Sequence, residues 1–465
     1  MNSSEISSSL ESFVSESPYS LDKIVGSLYY LTNTPGVGGV LRENTTDFIV
    51  REISDFKIGT SGKYLIAELT KDNWDTHHFM KMLSRKLGIS HKRISFAGTK
   101  DKRAITTQLM SIYDVDSSAV EDLVLKDIEI KVLGRSQNSI GLGDLKGNEF
   151  EINVRNLNCD FDSAKEISEK TTSQIIENGG VPNFFGIQRF GAKRPITHKV
   201  GKDILLGNMH DAVFRYICEL GEYENSEVND AREFITNTGN LKEGITKFPS
   251  YSRHEKALIS HIISNPGDYT GAFKCLPKNL YLMFVHAYQS QIFNKIISER
   301  IKQNIPLNEA VLGDIVCYRT KDNIPDPETL ERVSDRNISG INNLIKRNRA
   351  FVTAPLFGYD TPLAKGIPGE IESKILEAEN ISADMFHVPH FPEVASSGLR
   401  KEILLNVNPN CKVETENNNE NNNENNSEND TENDIIYLNL KFSLPKGSYA
   451  TTVLREYMKT NPLFM

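Results

Sequence analysis

Hydrophobic and polar residues alternate most regularly near the end of the chain. From Ile436 to Leu444 every second residue is Ile, Leu or Phe, which is the period of a half-buried β-strand. Pro445 and Gly447 interrupt the pattern, and Ser448 is placed to cap a final helix. A strand that stands alone leaves its backbone groups unpaired. We therefore expect this segment to pair with strands from the N-terminal part of the chain.

The first 180 residues show both strand and helix patterns. Phe48–Ile53 and Tyr64–Leu69 are short β-like runs, and residues 150–154 alternate in the same way. A helix capped by Thr76 and ended by Gly88 is predicted from apolar residues that recur on one face. Residues 162–178 predict a second helix. The N-terminal part of the chain is therefore expected to contain both strands and helices.

The middle of the chain has a different texture, in which helical patterns alternate with Pro- and Gly-rich connections. We predict a domain at 26–180 and 399–465 that is interrupted by a second domain at 181–398. Two segments lack the apolar residues needed for a core. Residues 1–25 are expected to be a disordered polar terminus, and 412–434 a disordered Asn/Glu loop.

Charge and cysteine content exclude few functions. The net charge of the 465-residue chain is −9, but residues 412–434 alone contribute −7, so acidity does not argue against a nucleic-acid partner. Five cysteines without a CxxC spacing suit a reducing compartment. The start of the chain is not typical of a secretory signal, and no apolar run is long enough to span a membrane. We expect a cytoplasmic protein.

Asp101 is the first candidate for chemistry. It lies among Lys100, Lys102 and Arg103, directly after an apolar run and Gly98. A carboxylate surrounded by cations stays ionised, and an ionised carboxylate can attack carbon or accept a proton. The same cations would attract a phosphate backbone. A solvated surface turn is the alternative for this segment taken alone.

Four further segments accompany residues 95–108 (SFAGTKDKRAITTQ). They are 141–150 (GLGDLKGNEF), 180–191 (GVPNFFGIQRFG), 287–294 (AYQSQIFN) and 444–456 (LPKGSYATTVLRE). Together the five segments, in this order, resemble the motifs of the TruD family of tRNA pseudouridine synthases. The resemblance extends from residue 95 to residue 456.

The resemblance implies a fold and a reaction. The fold is α+β, a pseudouridine synthase catalytic core with a mixed, largely antiparallel sheet, split by an α/β TRUD insertion domain, with the RNA cleft between the two. The reaction converts the uridine at position 13 of tRNA to pseudouridine. It needs no redox change and no nucleotide, so no cofactor and no metal are expected. Asp101 matches the essential carboxylate, for which attack on C1′, attack on the base and proton abstraction through a glycal all stay open.

The resemblance also implies residues that bind the substrate. Phe150 matches the aromatic residue that stacks on the flipped base, although it also opens an alternating strand and could be core. Asn148 lies two residues earlier on the same face and could contact the uracil edge. Arg42 stands where the family often has Lys, which keeps the charge but changes the donor geometry. A solvated Arg before a turn is the alternative for that position.

Three other basic residues are candidates. If residues 99–103 are extended, Arg103 shares the side of Asp101 and is the better candidate for keeping it ionised, whereas Lys100 points the other way, toward the phosphate backbone or solvent. Arg189, in the 180–191 segment, is a candidate RNA contact.

Some signals carry no function. Gly141–Gly147 has the wrong glycine spacing for a dinucleotide fingerprint, so a nucleotide-dependent enzyme is disfavoured. His77 and His78 are adjacent and point apart on a helix, which is poor geometry for binding one metal ion. A non-catalytic RNA-binding or tRNA-folding protein is the main alternative, and Asp101 argues against it because a binding module needs no acid among its cations. The expected partner is tRNA. We expect no association with a membrane, and we expect the protein to be a monomer.

Overall fold

The structure, a computed structural model, describes residues 15–321, 323–416 and 435–465. Its β-strands are β1 (Ser15–Glu16), β2 (Tyr29–Tyr30), β3 (Gly38–Leu41), β4 (Phe48–Ile53), β5 (Tyr64–Asp72), β6 (Ile94–Phe96), β7 (Ile105–Tyr113), β8 (Ile128–Ser136), β9 (Gly147–Leu157), β10 (Val181–Pro182), β11 (Ile315–Arg319), β12 (Pro325–Arg332), β13 (Ala350–Leu356), β14 (Leu399–Glu402), β15 (Leu404–Leu405), β16 (Asn410–Glu416) and β17 (Ile435–Pro445).

The α-helices are α1 (Ser20–Val25), α2 (Thr76–Lys86), α3 (Ser117–Glu121), α4 (Phe161–Glu177), α5 (Thr197–Leu205), α6 (Met209–Cys218), α7 (Ser226–Thr238), α8 (Leu241–Lys247), α9 (Arg253–Ser264), α10 (Tyr269–Lys274), α11 (Lys278–Lys302), α12 (Ile338–Lys346), α13 (Gly366–Glu379) and α14 (Ala450–Met458). Short 3₁₀ turns occur at Thr45–Asp47, His91–Arg93, Ile187–Phe190, Ala383–His387, Pro392–Val394 and Pro462–Phe464.

The chain divides into two compact units, each assembled from separate stretches of sequence. Among the described residues, the helical unit contains 15–33, those within Val181–Leu405, and Asn461–Leu463. The sheet unit contains Thr34–Gly180, Asn406–Thr460 and Phe464–Met465. The domain boundaries predicted at 180/181 and 398/399 remain a prediction.

One large sheet organises the sheet unit. Within the described residues its strand order is β16-β17-β9-β4-β7-β5-β8, with β3 also paired to β9 and β6 to β7. The β4–β7 pair is parallel and the others are antiparallel. The α+β class with a mixed, largely antiparallel sheet is thus confirmed. So is the pairing of the 436–444 strand with N-terminal strands, because β17 joins β9 along its length.

One face of this sheet is buried. Residues that are directly opposite on neighbouring strands share a face, so the register places Phe442, Phe150, Val50, Thr106 and Lys71 in one row across five strands. All five residues are buried. Apolar residues of β5 and β7 on this face form a core with those of α2, so the helix and the row lie on the same side of the sheet.

The helical unit is built around α11. This 25-residue helix is buried along most of its length, as expected for a helix without one polar face. Helix α5 packs on α11, and an antiparallel sheet in the order β12-β11-β13-β14 contributes to the same core.

Local predictions fail where a neighbour replaces the expected residue. Helix α2 is capped by Asp75, whose carboxylate accepts the His78 amide hydrogen at 2.8 Å, and not by Thr76. Ser448 does not cap α14, which starts after Tyr449.

Two predicted disordered segments are partly ordered. Residues 15–25 form β1 and α1 because Leu21 and Val25 are buried in the core of the helical unit. Residues 412–416 belong to β16, which is held by pairing with β17. The rest of these predictions, at 1–14 and 417–434, lies outside the described residues.

Gly201 tests how closely α5 and α11 pack. A Cβ at this position would lie 2.0 Å from the carbonyl oxygen of Phe284, and backbone cannot move away without separating the helices. We expect Gly201→Ala to lower the free energy of unfolding by about 1–3 kcal/mol in urea titrations, because overpacking strains the core. Gly340→Ala in α12 is the control, since nothing lies within 4 Å of its added Cβ. Equal stability of the two variants would contradict this packing.

Candidate active site

Asp101 lies on the loop that connects β6 to β7. Residues 102–104 bend instead of continuing as a strand, and the Asp101 side chain is 50% exposed. Its Oδ2 lies 3.3 Å from Nη2 of Arg42, which donates a hydrogen bond in an ion pair. An exposed pair of this kind contributes about 0–1 kcal/mol to stability. The loop therefore presents a carboxylate that is accessible and also paired with a cation.

Lys71 fixes the backbone at the same residue. It comes from β5, is fully buried, and its Nζ donates to the carbonyl oxygen of Asp101 at 2.8 Å. Burial lowers the pKa of Lys71 to about 8, although the negative charges of Asp101 and Asp75 act in the opposite direction. Lys71 is thus mostly charged at neutral pH, and its hydrogen bond to the carbonyl is charge-assisted.

Other side chains hold the loop before Asp101. Thr76 Oγ1, at the first turn of α2, accepts from the Lys100 amide at 3.3 Å and lies 3.4 Å from the Lys100 carbonyl oxygen. Gln108 Nε2, on β7, donates to the Gly98 carbonyl at 3.2 Å. Thr76 and Gln108 are each 1% exposed. The backbone of this loop is therefore held by side chains that cannot move without disturbing the core.

The structure corrects the expectation for Lys100. Its Nζ forms an ion pair with Oε2 of Glu52 at 2.6 Å, and the side chains are 5% and 2% exposed. Lys100 therefore points to β4 and not to a phosphate backbone or solvent. Arg103 is exposed, and the cation that pairs with Asp101 is Arg42 and not Arg103. The prediction assumed an extended 99–103 segment, whereas the chain bends after Asp101.

Arg42 reaches Asp101 from an unusual backbone conformation. Its φ is +60°, the left-handed region, which costs a residue with a Cβ about 1–2 kcal/mol. Its guanidinium carbon lies 4.1 Å from the centre of the Phe48 ring, and its buried Nε has no hydrogen-bond partner among the described residues. Strained residues of this kind cluster at functional sites. The guanidinium is held between an aromatic ring and the Asp101 carboxylate.

Phe150 belongs to an aromatic cluster on the buried face. Its ring stacks on Phe442 at 5.5 Å and meets the edge of Phe48 at 6.3 Å. Phe48 also carries the Arg42 guanidinium, so these contacts link Phe150 to the partner of Asp101. Phe150 is 6% exposed. Both a core role and a role against a flipped base are compatible with this position.

The 141–150 segment, which includes Asn148, contacts the same loop through Gly143. The amide of Gly143 donates to the carbonyl of Ala97 at 2.7 Å, which ties the segment to the loop four residues before Asp101. Asn148 shares the face of Phe150, and its buried Oδ1 has no partner in the part of the chain that the structure describes. An unpartnered amide oxygen beside an aromatic ring could accept a hydrogen from a base edge.

Arg189 belongs to the helical unit. Its Nε lies 3.4 Å from Ser290 Oγ, and its guanidinium carbon is 5.8 Å from the centre of the Phe185 ring. These contacts hold its side chain within that unit.

A surface pocket of about 350 Å³ lies elsewhere on the sheet, lined by Glu149, Asn406, Val407, Asn408, Lys441, Phe442 and Ser443. Glu149 and Ser443 alternate with the buried row and so face the opposite side. Among the described residues, no group of three or more His, Cys, Asp or Glu is arranged to hold a metal ion. None of the helices described is long and apolar enough to cross a membrane.

Sequence reasoning missed the residues that hold the loop. Lys71, Glu52 and Gln108 were not singled out, and Thr76 was considered only as a helix cap, although Lys71 carried a readable signal. It continues the alternation of Leu65, Ala67 and Leu69 on β5, so a charged residue occupies a position that should face the core. A lysine on the buried face of a strand requires a partner.

Comparisons with known proteins show what this chain is similar to. A family model described as tRNA pseudouridine synthase D (TruD) matches residues 24–457. A probable tRNA pseudouridine synthase D from Methanosarcina mazei is 51% identical over 96% of this chain and 99% of its own. The relative from Methanosarcina acetivorans is 50% identical, with 96% and 98% covered. A crystal structure of a TruD protein from Methanosarcina mazei superposes with a TM-score of 0.86 at 50% identity, covering 96% of this chain and 99% of that one.

The pKa of Lys71 predicts a pH dependence of stability. Below pH 8 the lysine is charged in both the folded and unfolded states, so the cost of burying the charge is constant. Between pH 8 and about 10.5 the folded state has lost the proton and the unfolded state retains it, so stability rises with pH.

Relative to Lys71→Met, we expect the wild type to gain at most about 3 kcal/mol in free energy of unfolding as the pH rises over this range. Urea titrations at several pH values measure it, and a difference that is constant with pH would show that the ammonium is not desolvated.

Proposed function

The chain belongs to the TruD family of tRNA pseudouridine synthases, and we propose that it acts on the uridine at position 13 of tRNA, with Asp101 as the essential carboxylate and Phe150 against the flipped base. The reaction breaks the bond between N1 of uracil and C1′ of the ribose and joins C1′ to C5. Atoms and electrons balance within the substrate, so the protein needs to supply a carboxylate, a surface for the detached base and charge complementary to RNA.

The observation that carries the proposal is the setting of Asp101. Its carboxylate is half exposed, but the backbone that carries it is held by the buried side chains of Lys71, Thr76 and Gln108. A group that is accessible and also rigidly placed can meet its target without the entropic cost of first becoming ordered. Arg42 pairs with it from one side. The ionised group could attack C1′ or the base, or accept the C2′ proton, and these routes stay open.

Arg42 has a second use in this proposal. Its contact with Asp101 is a single 3.3 Å hydrogen bond at an exposed position, so an incoming RNA phosphate can compete for the same guanidinium. The guanidinium also lies over the face of the Phe48 ring. Arg42 would then remain in place while its partner changes from the carboxylate to the substrate.

Phe150 and Asn148 supply the surface for the base. They lie on one face of β9, with Phe150 stacked on Phe442 and the Asn148 Oδ1 without a partner among the described residues. A flipped uracil offers a ring for stacking and an N3–H that can donate to an amide oxygen. The choice of position 13 rests on the resemblance to the family.

Asp101→Asn is the direct test. We expect pseudouridine formation on a tRNA transcript to fall by more than about 1,000-fold, as it does when an enzyme loses its reacting group. Affinity for the tRNA should stay within a few-fold, because removal of one negative charge does not weaken contacts to phosphates. A transcript with cytidine at position 13 is the substrate control. Turnover near that of the wild type would remove Asp101 from the mechanism, and loss of RNA binding would favour the alternative of a binding protein.

Phe150→Leu tests the stacking role against the core role. Phe442→Leu is the matched control, since the two rings stack on each other on the same buried face and both variants lose the same atoms from the same cluster. Base stacking is worth about 1–3 kcal/mol, so we expect Phe150→Leu to lower kcat/KM by about tenfold or more beyond the effect of Phe442→Leu. Equal losses of activity and of stability would assign Phe150 to the core.

A further inference from the structure

A cysteine, a histidine and an aspartate lie in line at the surface of the helical unit. The Sγ of Cys275 is 3.4 Å from Nδ1 of His261, and the Nε2 of His261 is 2.9 Å from Oδ2 of Asp268. His261 is in the last turn of α9, and Asp268 and Cys275 flank α10. The arrangement is that of a nucleophile, a base and a group that orients the base.

The partners of Asp268 determine which ring nitrogen carries the proton. Its Oδ1 accepts the Gly271 amide hydrogen at 2.8 Å. That bond and the one from His261 hold the pKa of Asp268 below its usual range, so the carboxylate accepts and His261 Nε2 donates. The lone pair of neutral His261 is then on Nδ1, which faces the thiol. The Gly271 carbonyl, 3.5 Å from Sγ, is the other acceptor for the thiol proton.

Gly271 makes room for the contact between the carboxylate and the imidazole. A Cβ at this position would lie 1.9 Å from Asp268 Oδ2 and 2.7 Å from His261 Nε2. A residue with a side chain would therefore separate the two groups. The site depends on a glycine within a helix, where glycine is otherwise unfavourable by about 1 kcal/mol relative to alanine.

Cys275 differs from the other four cysteines, all of which the structure describes. Burial raises the pKa of the thiols of Cys159, Cys218 and Cys317, and raises that of Cys411 to about 11, so these thiols are held in the unreactive protonated form. Cys275 is exposed. Its neighbour Lys274 is paired with Glu393 at 2.6 Å. Cys275 and Asp268 contact different ring nitrogens, so the three groups cannot bind one metal ion.

We propose that Cys275 is a nucleophilic thiol, activated by His261 and Asp268, that is oxidised by hydroperoxides. His261 Nδ1 takes the thiol proton and leaves a thiolate beside an imidazolium that faces ionised Asp268. The sulfur attacks the terminal oxygen of the hydroperoxide, so that an S–O bond forms and the O–O bond breaks. The leaving alkoxide takes the proton from His261 and departs as an alcohol. Sulfur is oxidised to a sulfenic acid by two electrons, and the peroxide is reduced by the same two.

The rate of alkylation tests the activation of the thiol. The full-length protein is treated with iodoacetamide at pH 7, and modification of the Cys275 peptide is followed by mass spectrometry. The reference is the same peptide in the chain unfolded in urea, which removes the effect of exposure. An ordinary thiol is about 3% ionised at pH 7, and an activated thiolate is intrinsically less nucleophilic, so we expect native Cys275 to react about tenfold faster than the reference. A native rate at or below the reference would overturn the proposal.

Variants separate activation from a structural hydrogen bond. His261→Gln can still donate to Asp268 but has no base for the thiol, and Asp268→Asn keeps an N-cap for α10. In both variants, at a melting temperature near that of the wild type, the native rate should fall toward the reference. With hydrogen peroxide and dimedone, a sulfenic acid adduct should form at Cys275 in the wild type and be reduced at least fivefold in His261→Gln. Equal adduct in the two proteins would refute a role for the imidazole.

Discussion

A buried lysine that donates to a backbone carbonyl is the interaction on which the arrangement around Asp101 depends. Lys71 brings a positive charge into the core next to α2, where an uncompensated ammonium would be expensive. The carbonyl of Asp101 accepts a hydrogen bond from this ammonium at 2.8 Å. If the loop left this position, the buried ammonium would lose that partner. The cost of burying Lys71 thereby becomes a restraint on the residue that carries the candidate carboxylate.

The side chain of Asp101 is treated in the opposite way. It remains half exposed, and its partner Arg42 is supported by an aromatic ring, with no second carboxylate paired to it among the described residues. The backbone and the side chain of Asp101 are therefore held in different ways. Buried polar groups fix the backbone, whereas a replaceable surface ion pair holds the side chain. The positive φ of Arg42 belongs to the same pattern, since this strained backbone conformation occurs at the residue whose guanidinium turns toward Asp101.

Several features were predictable because they depend on local periodicity. The alternation from 436 to 444 predicted β17, and the patterns before residue 180 predicted α2 and α4 to within one or two residues at their ends. Asp101 itself was predicted from its cationic surroundings and from the resemblance to the family. The partner of Asp101 was not predicted. Arg103 is only two residues away in sequence, but the bend at 102–104 turns it outward, and the partner is Arg42, which follows β3 and lies 59 residues earlier in the chain.

By itself, the amino-acid sequence determined the fold class, the family and the identity of the candidate carboxylate, because strand periodicity and ordered motifs are properties of short segments. Only the tertiary structure decided which side chains hold the loop that carries this carboxylate. Lys71, Glu52 and Gln108 lie on three different strands, and their contacts with one loop follow from sheet register and burial. Those quantities depend on how distant strands align, which no local pattern specifies.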